Sequence, residues 1–237
     1  MEEAGAEIYR VEETAHHICK AYGMKSVDIY ATTPNIVASV EVEDGVVMAH
    51  TRRIGRVTTD LEKVDRLNAL ARYMVAERPD MDYVRAELDR IKETPNYRTS
   101  FTLLSYVLVA SSFYYFFGGR LIIECIIAGA IGLLVGVLTN LFSSIKANHL
   151  LSKFFCSFVA CMIAFASCRL GVSERVDYII IGNIMALIPG VGLTNSLRDL
   201  FIGDSVSGVL RFIESILLAV AIACGYIVTS FVFGGMV

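Results

Sequence analysis

The chain has 237 residues, of which 55% are hydrophobic and 19% are charged, and its formal net charge is −3. This composition indicates a membrane protein that also has a water-soluble part. The first hundred residues carry 14 basic and 18 acidic side chains, and the remainder carry 7 and 6. Neither part is basic enough to indicate nucleic-acid binding. The shift in charge predicts two domains, a small cytosolic α+β domain over residues 1–99 and a transmembrane helical domain over 100–237.

The N-terminal residues predict a helix, three short strands and two further helices. Apolar residues recur at helical spacing between Gly5 and Tyr22. Asp44-Gly45 is typical of a hairpin between two β-prone runs. Thr59 is expected to cap a helix reaching about Glu77, with Glu62 completing a capping box. The runs read as strands are 27–30, 36–42 and 46–50, and a last helix is expected from Pro79-Asp80 to about Glu93.

The charged and metal-binding residue types of this part indicate a solvated surface. His16 and His17 point to different faces of a helix, so with Cys19 they do not predict a metal site. Glu12 and Glu13 are expected on a solvated helix face, and Arg52, Arg53 and Arg56 in a solvated loop or against lipid head groups.

The six cysteines form no Cys-x-x-Cys pair, so neither a disulfide nor a cofactor is expected. Because Met1 is followed by two glutamates and not by a signal peptide, this part is expected in the cytoplasm.

Five apolar runs are candidates for membrane helices, which need about 20 largely apolar residues. They cover 101–117, 121–142, 150–170, 178–193 and 206–233. In the second run, Ala128, Gly132 and Gly136 recur at steps of four and predict close helix packing. Glu124 is expected at the membrane interface or in a polar pathway. Five spans with the N-terminus inside would leave the C-terminus outside; a re-entrant fourth segment would leave four spans and a cytoplasmic C-terminus.

The fourth run is interrupted by Pro189, Gly190 and Gly192, which break a helix. Polar residues follow the break, and two charges, Arg211 and Glu214, lie in the next apolar run. Charges in apolar segments usually face a cavity or each other. A broken helix beside polar groups is the arrangement that transporters use to bind substrate, although a proline kink that only shapes packing has the same pattern.

The same stretch resembles the signature of the threonine/serine exporter family. The resemblance rests on Pro189-Gly190, Thr194-Asn195, Arg198-Asp199-Leu200, Gly203-Asp204 and Ser207-Gly208. The segment from Gly5 to Thr14 is also similar to the start of the family's N-terminal region. The resemblance implies an exporter of threonine and serine, with a dicarboxylate such as succinate as the alternative. A structural or regulatory subunit of such a transporter is a further alternative, whereas no set of catalytic residues indicates an enzyme.

The candidate site residues are assigned from this stretch. The expected substrate-binding residues are Asn183, Pro189, Gly190, Gly192, Thr194, Asn195 and Arg198. The helix after Gly192 would direct free N–H groups at a substrate carboxylate, and Arg198 would bind that carboxylate or pair with a nearby acid. The expected coupling or ion-pair residues are Asp199, Asp204, Arg211 and Glu214. Arg211 and Glu214 lie one turn apart and can also neutralise each other.

A second membrane subunit is expected as a partner, together with the lipid bilayer and the small-molecule substrate. Full-length exporters of the family resemble two membrane halves in one polypeptide, and this chain ends at Val237, shortly after its fifth apolar run. An odd number of spans fits a second, inverted bundle that meets the first at a midplane site. The alternative is a homo-oligomer that buries the same face.

Overall fold

The computed structural model describes residues 1–33, 35–42, 45–55, 57–94 and 97–233. Contacts group the chain into two compact units. The N-terminal unit consists of Met1–Pro95 and Val191–Ile213, and the bundle unit consists of Asn96–Gly190 and Glu214–Val237. The predicted domains, 1–99 and 100–237, are defined by composition, whereas these units are defined by contacts. The N-terminal unit includes the segment 191–213, which is distant in sequence from its other residues.

The first part of the N-terminal unit contains a 3₁₀ turn, three helices and a three-stranded sheet. In chain order these are the turn Glu2–Ala4, α1 Ile8–Ala21, β1 Ser26–Thr32, β2 Asn35–Glu41, β3 Val47–Arg53, α2 Leu61–Glu77 and α3 Met81–Glu93. The strands pair antiparallel in the order β1-β2-β3. The predicted small sheet preceded by one helix and followed by two is therefore confirmed.

The sheet register follows from one hairpin. Gly45 has φ of +74°, a backbone conformation that glycine adopts without strain, and Val42 N donates to Val46 O at 3.1 Å. This geometry closes the predicted hairpin between β2 and β3, in which Glu41 pairs with Val47. Asp44, the other half of the predicted turn signal, and Arg56 lie outside the described residues.

Two of the local predictions for this unit need correction. The cap of α2 is Asp60 and not Thr59, because the Asp60 carboxylate accepts the hydrogen bond from Lys63 N at 3.0 Å. Glu12 does not lie on a solvated face: its carboxylate accepts a hydrogen bond from Ala31 N in β1 at 2.7 Å. Burial raises the pKa of Glu12 above its ordinary value, while the Ala31 amide opposes that rise.

Two small apolar clusters hold the first part of the N-terminal unit together. One joins the 3₁₀ turn and α1 to α2, and consists of Ala4, Ala6, Val11 and Val64. The other joins α2 to α3, and consists of Leu70, Met74, Val84 and Ile91. Apolar positions at helical spacing thus bury one side of each helix.

The remaining residues form six helices. They are α4 Thr99–Phe116, α5 Ile122–Ser144, α6 His149–Arg169, α7 Val176–Met185, α8 Gly190–Ile202 and α9 Ser205–Phe233. Within the bundle unit, α4, α5, α6 and α7 pack on one another around a core that includes Tyr114, Val135, Cys161 and Ile179. The last part of α9 contributes Ile222 to the same core.

Close packing of α5 and α7 on α4 depends on glycine. A Cβ atom on Gly132 of α5 would lie 2.7 Å from the carbonyl oxygen of Tyr106. A Cβ atom on Gly182 of α7 would lie 2.8 Å from the carbonyl oxygen of Ala110. Both are shorter than real contacts of that type, so these helices approach α4 at distances that only glycine permits.

Among the described residues, three helices are long and apolar enough to cross a membrane, namely α5, α6 and α9. The interrupted pair of α7 and α8 raises the number to four if it counts as one span. The prediction of five spans is therefore not confirmed. The helix α4, which corresponds to the first predicted span, is not apolar enough to be counted with these helices. Its serine, threonine and tyrosine residues reduce its apolar character.

Candidate functional site

The predicted helix break is present. The helix α7 ends at Met185 and α8 begins at Gly190, with Pro189 directly before it. Pro189 has no N–H group to donate and cannot continue α7, so a new helix begins after it. The expected site residues Asn183, Pro189 and Gly190 belong to the bundle unit, whereas Gly192, Thr194 and Asn195 belong to the N-terminal unit.

The helices α8 and α9 meet at a tight turn in the N-terminal unit. Gly203 has φ of +110°, which a residue with a Cβ atom adopts only with strain. A Cβ atom on Gly208 would lie 2.9 Å from Leu200 N, so the first turn of α9 lies directly against the backbone of α8. The predicted turn at Gly203-Asp204 is therefore confirmed. It places side chains from both helices in one polar cluster.

Arg198 is the exposed member of this cluster. Its Nη1 donates to Glu7 Oε1 at 2.7 Å, and its Nη2 donates to the Tyr9 hydroxyl at 3.0 Å. The guanidinium also lies over the Tyr9 ring, 5.5 Å from the centroid. The side chain of Arg198 nevertheless remains 53% exposed, whereas that of Glu7 is 11% exposed. Arg198 is thus held by the N-terminal segment while part of its guanidinium still faces solvent.

Arg211 is the partly buried cation of the cluster, with 11% of its side chain exposed. Its Nη1 lies 3.5 Å from Asp199 Oδ2 and 3.4 Å from Ala6 O, and its Nε donates to the Thr33 hydroxyl at 3.1 Å. Its Nη2 lies 3.8 Å from Glu2 Oε1. Arg211 therefore joins α8, the N-terminal turn and the end of β1. The ion pairs of Arg211 are with Asp199 and Glu2.

Carboxylates outnumber guanidinium groups here. Asp199 is fully buried and Glu2 is 2% exposed. Several buried oxygens accept no hydrogen bond within the described part of the chain: both oxygens of Glu2, Glu7 Oε2, Asp199 Oδ1 and Asp204 Oδ2. Burial raises the pKa of Glu2 above its ordinary value, and the positive charge of Arg211 opposes this rise. The cluster, which we call the Arg198–Arg211 cluster (Glu2, Glu7, Asp199, Asp204, Arg198 and Arg211), thus has acceptor capacity for a proton or a cationic group.

The other predicted site residues lie in varied surroundings. Asn183 is buried in α7, where its amide donates to Ile179 O at 2.9 Å and its Oδ1 accepts no hydrogen bond from a described residue. Gly192 and Asn195 are half-buried in the first turns of α8, and Thr194 is exposed. Glu214 is exposed and belongs to the bundle unit, unlike Arg211. These are the positions at which a substrate role remains a prediction.

Four polar residues were missed from the sequence: Glu2 and Glu7, which belong to the cluster, and Tyr9 and Thr33, which are hydrogen-bonded to its arginines. They lie outside the signature stretch, and only the folded chain brings them to α8 and α9. A signal was present for Glu7 and Tyr9, since both lie in the segment from Gly5 to Thr14 that was identified as similar to the family. The described residues contain no group of three or more histidine, cysteine, aspartate or glutamate side chains arranged to hold a metal ion.

Comparison with known proteins decides the family. A family model described as "Putative threonine/serine exporter" matches residues 1–233. The chain belongs to the threonine/serine exporter family. A relative named threonine/serine exporter, from Corynebacterium glutamicum, is 23% identical over 216 residues. The matched region covers 88% of this chain and 44% of that protein, so the chain spans less than half the length of its relative. No solved structure matches the chain.

Membership of the exporter family and the apolar helices together indicate a multi-pass membrane protein. The signature residues have clear positions in this member of the family. Gly203 and Gly208 shape the α8–α9 turn, and Arg198 and Asp199 contribute to the cluster beside it. The stretch that carries the resemblance therefore includes both the residues that build the turn and the charged residues beside it.

Proposed function

We propose that this chain is a subunit of a secondary exporter for threonine and serine, located in the cell membrane, with its N-terminal unit in the cytoplasm. The observation that carries the proposal is the family match over residues 1–233. The Arg198–Arg211 cluster supports it, because an amino acid carries one carboxylate and one ammonium group. A partly exposed guanidinium suits the carboxylate, and buried carboxylate oxygens with free acceptor capacity suit the ammonium group.

The charge balance of the cluster favours an amino acid over a dicarboxylate. Four carboxylates surround two guanidinium groups, and each arginine already has at least one acidic partner. A succinate dianion would meet net repulsion from such surroundings, whereas a zwitterion would not. Dicarboxylate export therefore stays the alternative. Parallel measurements of labelled threonine, serine and succinate leaving the same cells distinguish the two.

In this proposal Arg198 binds the substrate carboxylate, and its bond to Glu7 holds the guanidinium in place. Replacing Arg198 with Ala is then expected to abolish export at unchanged protein abundance. The matched control is Glu7→Gln, which removes the ionic partner but leaves the guanidinium available. Retained export by Glu7→Gln with loss in Arg198→Ala supports a substrate role. Equal loss in both variants assigns Arg198 to the ion pair alone, and normal export by Arg198→Ala contradicts the site.

The buried acids of the cluster are the groups we propose for proton coupling, with Asp199 first among them. Asp199 is fully buried, and its Oδ1 accepts no hydrogen bond from a described residue. A carboxyl group of this kind can be neutral in one state of a transport cycle and charged in another. Asp199→Asn is expected to uncouple export from the proton gradient. Glu13→Gln, a change at an exposed side chain of α1, is the matched control.

A second membrane subunit is part of the proposal, and the apolar surface of α9 supports it. The helix α9 is the least buried of the three long apolar helices, with 22% of its most apolar window buried, against 39% in α5 and 33% in α6. It therefore offers the largest share of apolar surface to a partner or to lipid. The test is to measure transport in three preparations: vesicles with the purified chain alone, vesicles with the chain and its co-expressed partner, and empty vesicles. Transport by the chain alone contradicts the requirement for a second subunit.

A further inference from the structure

The strand β3 forms an edge of the sheet in the N-terminal unit, and all seven of its residues are exposed. They include two large apolar side chains, with Val47 65% and Met48 53% exposed. An exposed, straight edge strand is a template for pairing with another strand, and proteins usually cover or shorten such edges. This surface lies outside the polar cluster and plays no part in the proposed transport site.

The backbone of β3 has a row of unused hydrogen-bonding groups. The bond from Val42 N to Val46 O, at 3.1 Å, shows that this residue pair is hydrogen-bonded. In an antiparallel ladder, hydrogen-bonded pairs alternate with pairs that are not hydrogen-bonded. The N–H and C=O groups of every second residue of β3 therefore point away from β2. Those outward residues are Val47, Ala49, Thr51 and Arg53. Within the described ranges, their backbone groups bond to no other element.

The opposite edge of the sheet, at β1, has partners within the chain. Glu12 of α1 accepts a hydrogen bond from the outward amide of Ala31 in β1 at 2.7 Å. The helix α1 packs on β1, and Val27 and Ala31 of that strand are buried. The fold thus packs its own helix on β1 and satisfies the outward amide of Ala31, whereas the described residues give β3 no such partner.

We propose that β3 pairs antiparallel with β3 of a second copy of this chain. The charges of the hairpin are self-complementary under such a twofold rotation. Arg52 and Arg53 lie at one end of β3, and Glu41 is the β2 partner of Val47 at the other end. Antiparallel pairing of all seven residues places Arg53 of one copy opposite Val47 of the other. Because Glu41 pairs with Val47, Glu41, Val47 and the second copy's Arg53 then form one row across the sheet. Parallel pairing would instead stack Arg52 and Arg53 on their own copies, which is unfavourable.

This register makes a geometric prediction at its centre. The outward residues Ala49 and Thr51 of the two copies form a hydrogen-bonded pair, and His50 lies opposite His50 between them. His50 and the His50 of the second copy form a pair that is not hydrogen-bonded. In such a pair the two Cα atoms are roughly 4.5 Å apart. That distance lies within the range that a disulfide bond spans. The two Arg53 residues, in contrast, lie at opposite ends of the paired strands.

Cysteine cross-linking of the full chain in membranes tests the proposal. His50→Cys is expected to form a disulfide-linked species at twice the chain's mass after mild oxidation. Arg53→Cys is the matched control and is expected to run as a monomer on a non-reducing gel. The wild-type chain, which already carries six free cysteines, gives the background. Combining Val47→Cys with Arg53→Cys is expected to restore the cross-link, since these positions face each other.

A proline substitution separates edge pairing from accidental collision. The amide of Ala49 points away from β2, so Ala49→Pro removes a donor only from the proposed interface. In the His50→Cys background, Ala49→Pro is expected to abolish the cross-link, and Ala49→Val, which keeps the amide, to retain it. The absence of a dimer with His50→Cys overturns the proposal, as does equal cross-linking by Arg53→Cys or persistence of the cross-link with Ala49→Pro.

Discussion

Asp199 and Arg211 lie on consecutive helices of the N-terminal unit, and Arg211 Nη1 is 3.5 Å from Asp199 Oδ2. Asp199 is fully buried, and only 11% of the Arg211 side chain is exposed. The turn at Gly203 brings them together, since it joins α8 to α9 and the first turn of α9 lies against the backbone of α8. One cation therefore balances two buried acids, Asp199 and Glu2.

Removal of the Arg211 charge is expected to be costly because it leaves these acids without a cation. Breaking a buried pair from one side typically costs about 3 kcal/mol or more, so Arg211→Gln should lower the free energy of unfolding by about that amount. Denaturant unfolding in detergent measures the effect. Arg198→Gln, at a half-exposed side chain, should lose less than about 1 kcal/mol. Adding Asp199→Asn to Arg211→Gln should recover part of the loss; no recovery would mean that the two charges are not coupled.

The raised pKa of Glu2 predicts a pH dependence of stability. The folded chain binds the Glu2 proton more tightly than the unfolded chain does, because burial disfavours the carboxylate. Between the ordinary value of 4.5 and the raised folded value, stability should therefore fall as the pH rises. Glu2→Gln removes this titration, so the variant should exceed the wild type in thermal stability at neutral pH and match it near pH 4.5. A difference that does not change with pH contradicts the assignment.

Much of the secondary structure could be predicted from the sequence, because local signals decide it. The apolar runs and the break at Pro189 define α5 to α9 to within a few residues, and the spacing around Gly45 gives the hairpin. The cap at Asp60 was predicted one residue too early, since Thr59 and Asp60 are both good caps and only the fold selects one.

The candidate site was predictable only in part. Arg198, Asp199 and Arg211 are visible as charges in an apolar stretch, but Glu2 and Glu7, the acidic partners of the two arginines, are about two hundred positions away in sequence. No periodicity or spacing rule connects such distant residues, because long-range pairing depends on tertiary packing. For the same reason the sequence contained no sign that residues 191–213 are grouped with the N-terminal residues.

The packing of α7 on α4 predicts that Gly182 tolerates no side chain. A Cβ atom there would lie 2.8 Å from Ala110 O and 2.9 Å from Tyr114 N, and both are backbone atoms that cannot rotate away. Gly182→Ala should lower the unfolding free energy by about 1–3 kcal/mol. Gly190→Ala is the control, since nothing lies within 4 Å of a Cβ atom at that position. Equal thermal midpoints for the two variants in detergent would contradict the predicted crowding.

Glu124 is expected to be a structural anchor of the bundle unit. It is buried, and its carboxylate accepts three hydrogen bonds: from the Tyr114 hydroxyl at 2.7 Å, Glu174 N at 2.7 Å and Arg175 N at 3.0 Å. It thereby ties α4 and α5 to the residues that precede α7. A carboxylate with three donors in place has little remaining capacity for a moving proton.

Glu124→Ala should therefore destabilise the chain by several kcal/mol, because it leaves two backbone amides without an acceptor and removes the shortest hydrogen bond of the Tyr114 hydroxyl. Glu124→Gln keeps one carbonyl oxygen and should cost less. Tyr114→Phe removes the hydroxyl that donates to Glu124 and to Leu121 O and accepts from Leu121 N, so it should also be destabilising. Tyr115→Phe, at an exposed neighbour, is the control and should change little. Thermal unfolding gives the order of stabilities, and export measured at equal abundance gives the role. If Glu124→Gln folds normally but loses export, Glu124 belongs to a polar pathway and the anchor assignment is wrong.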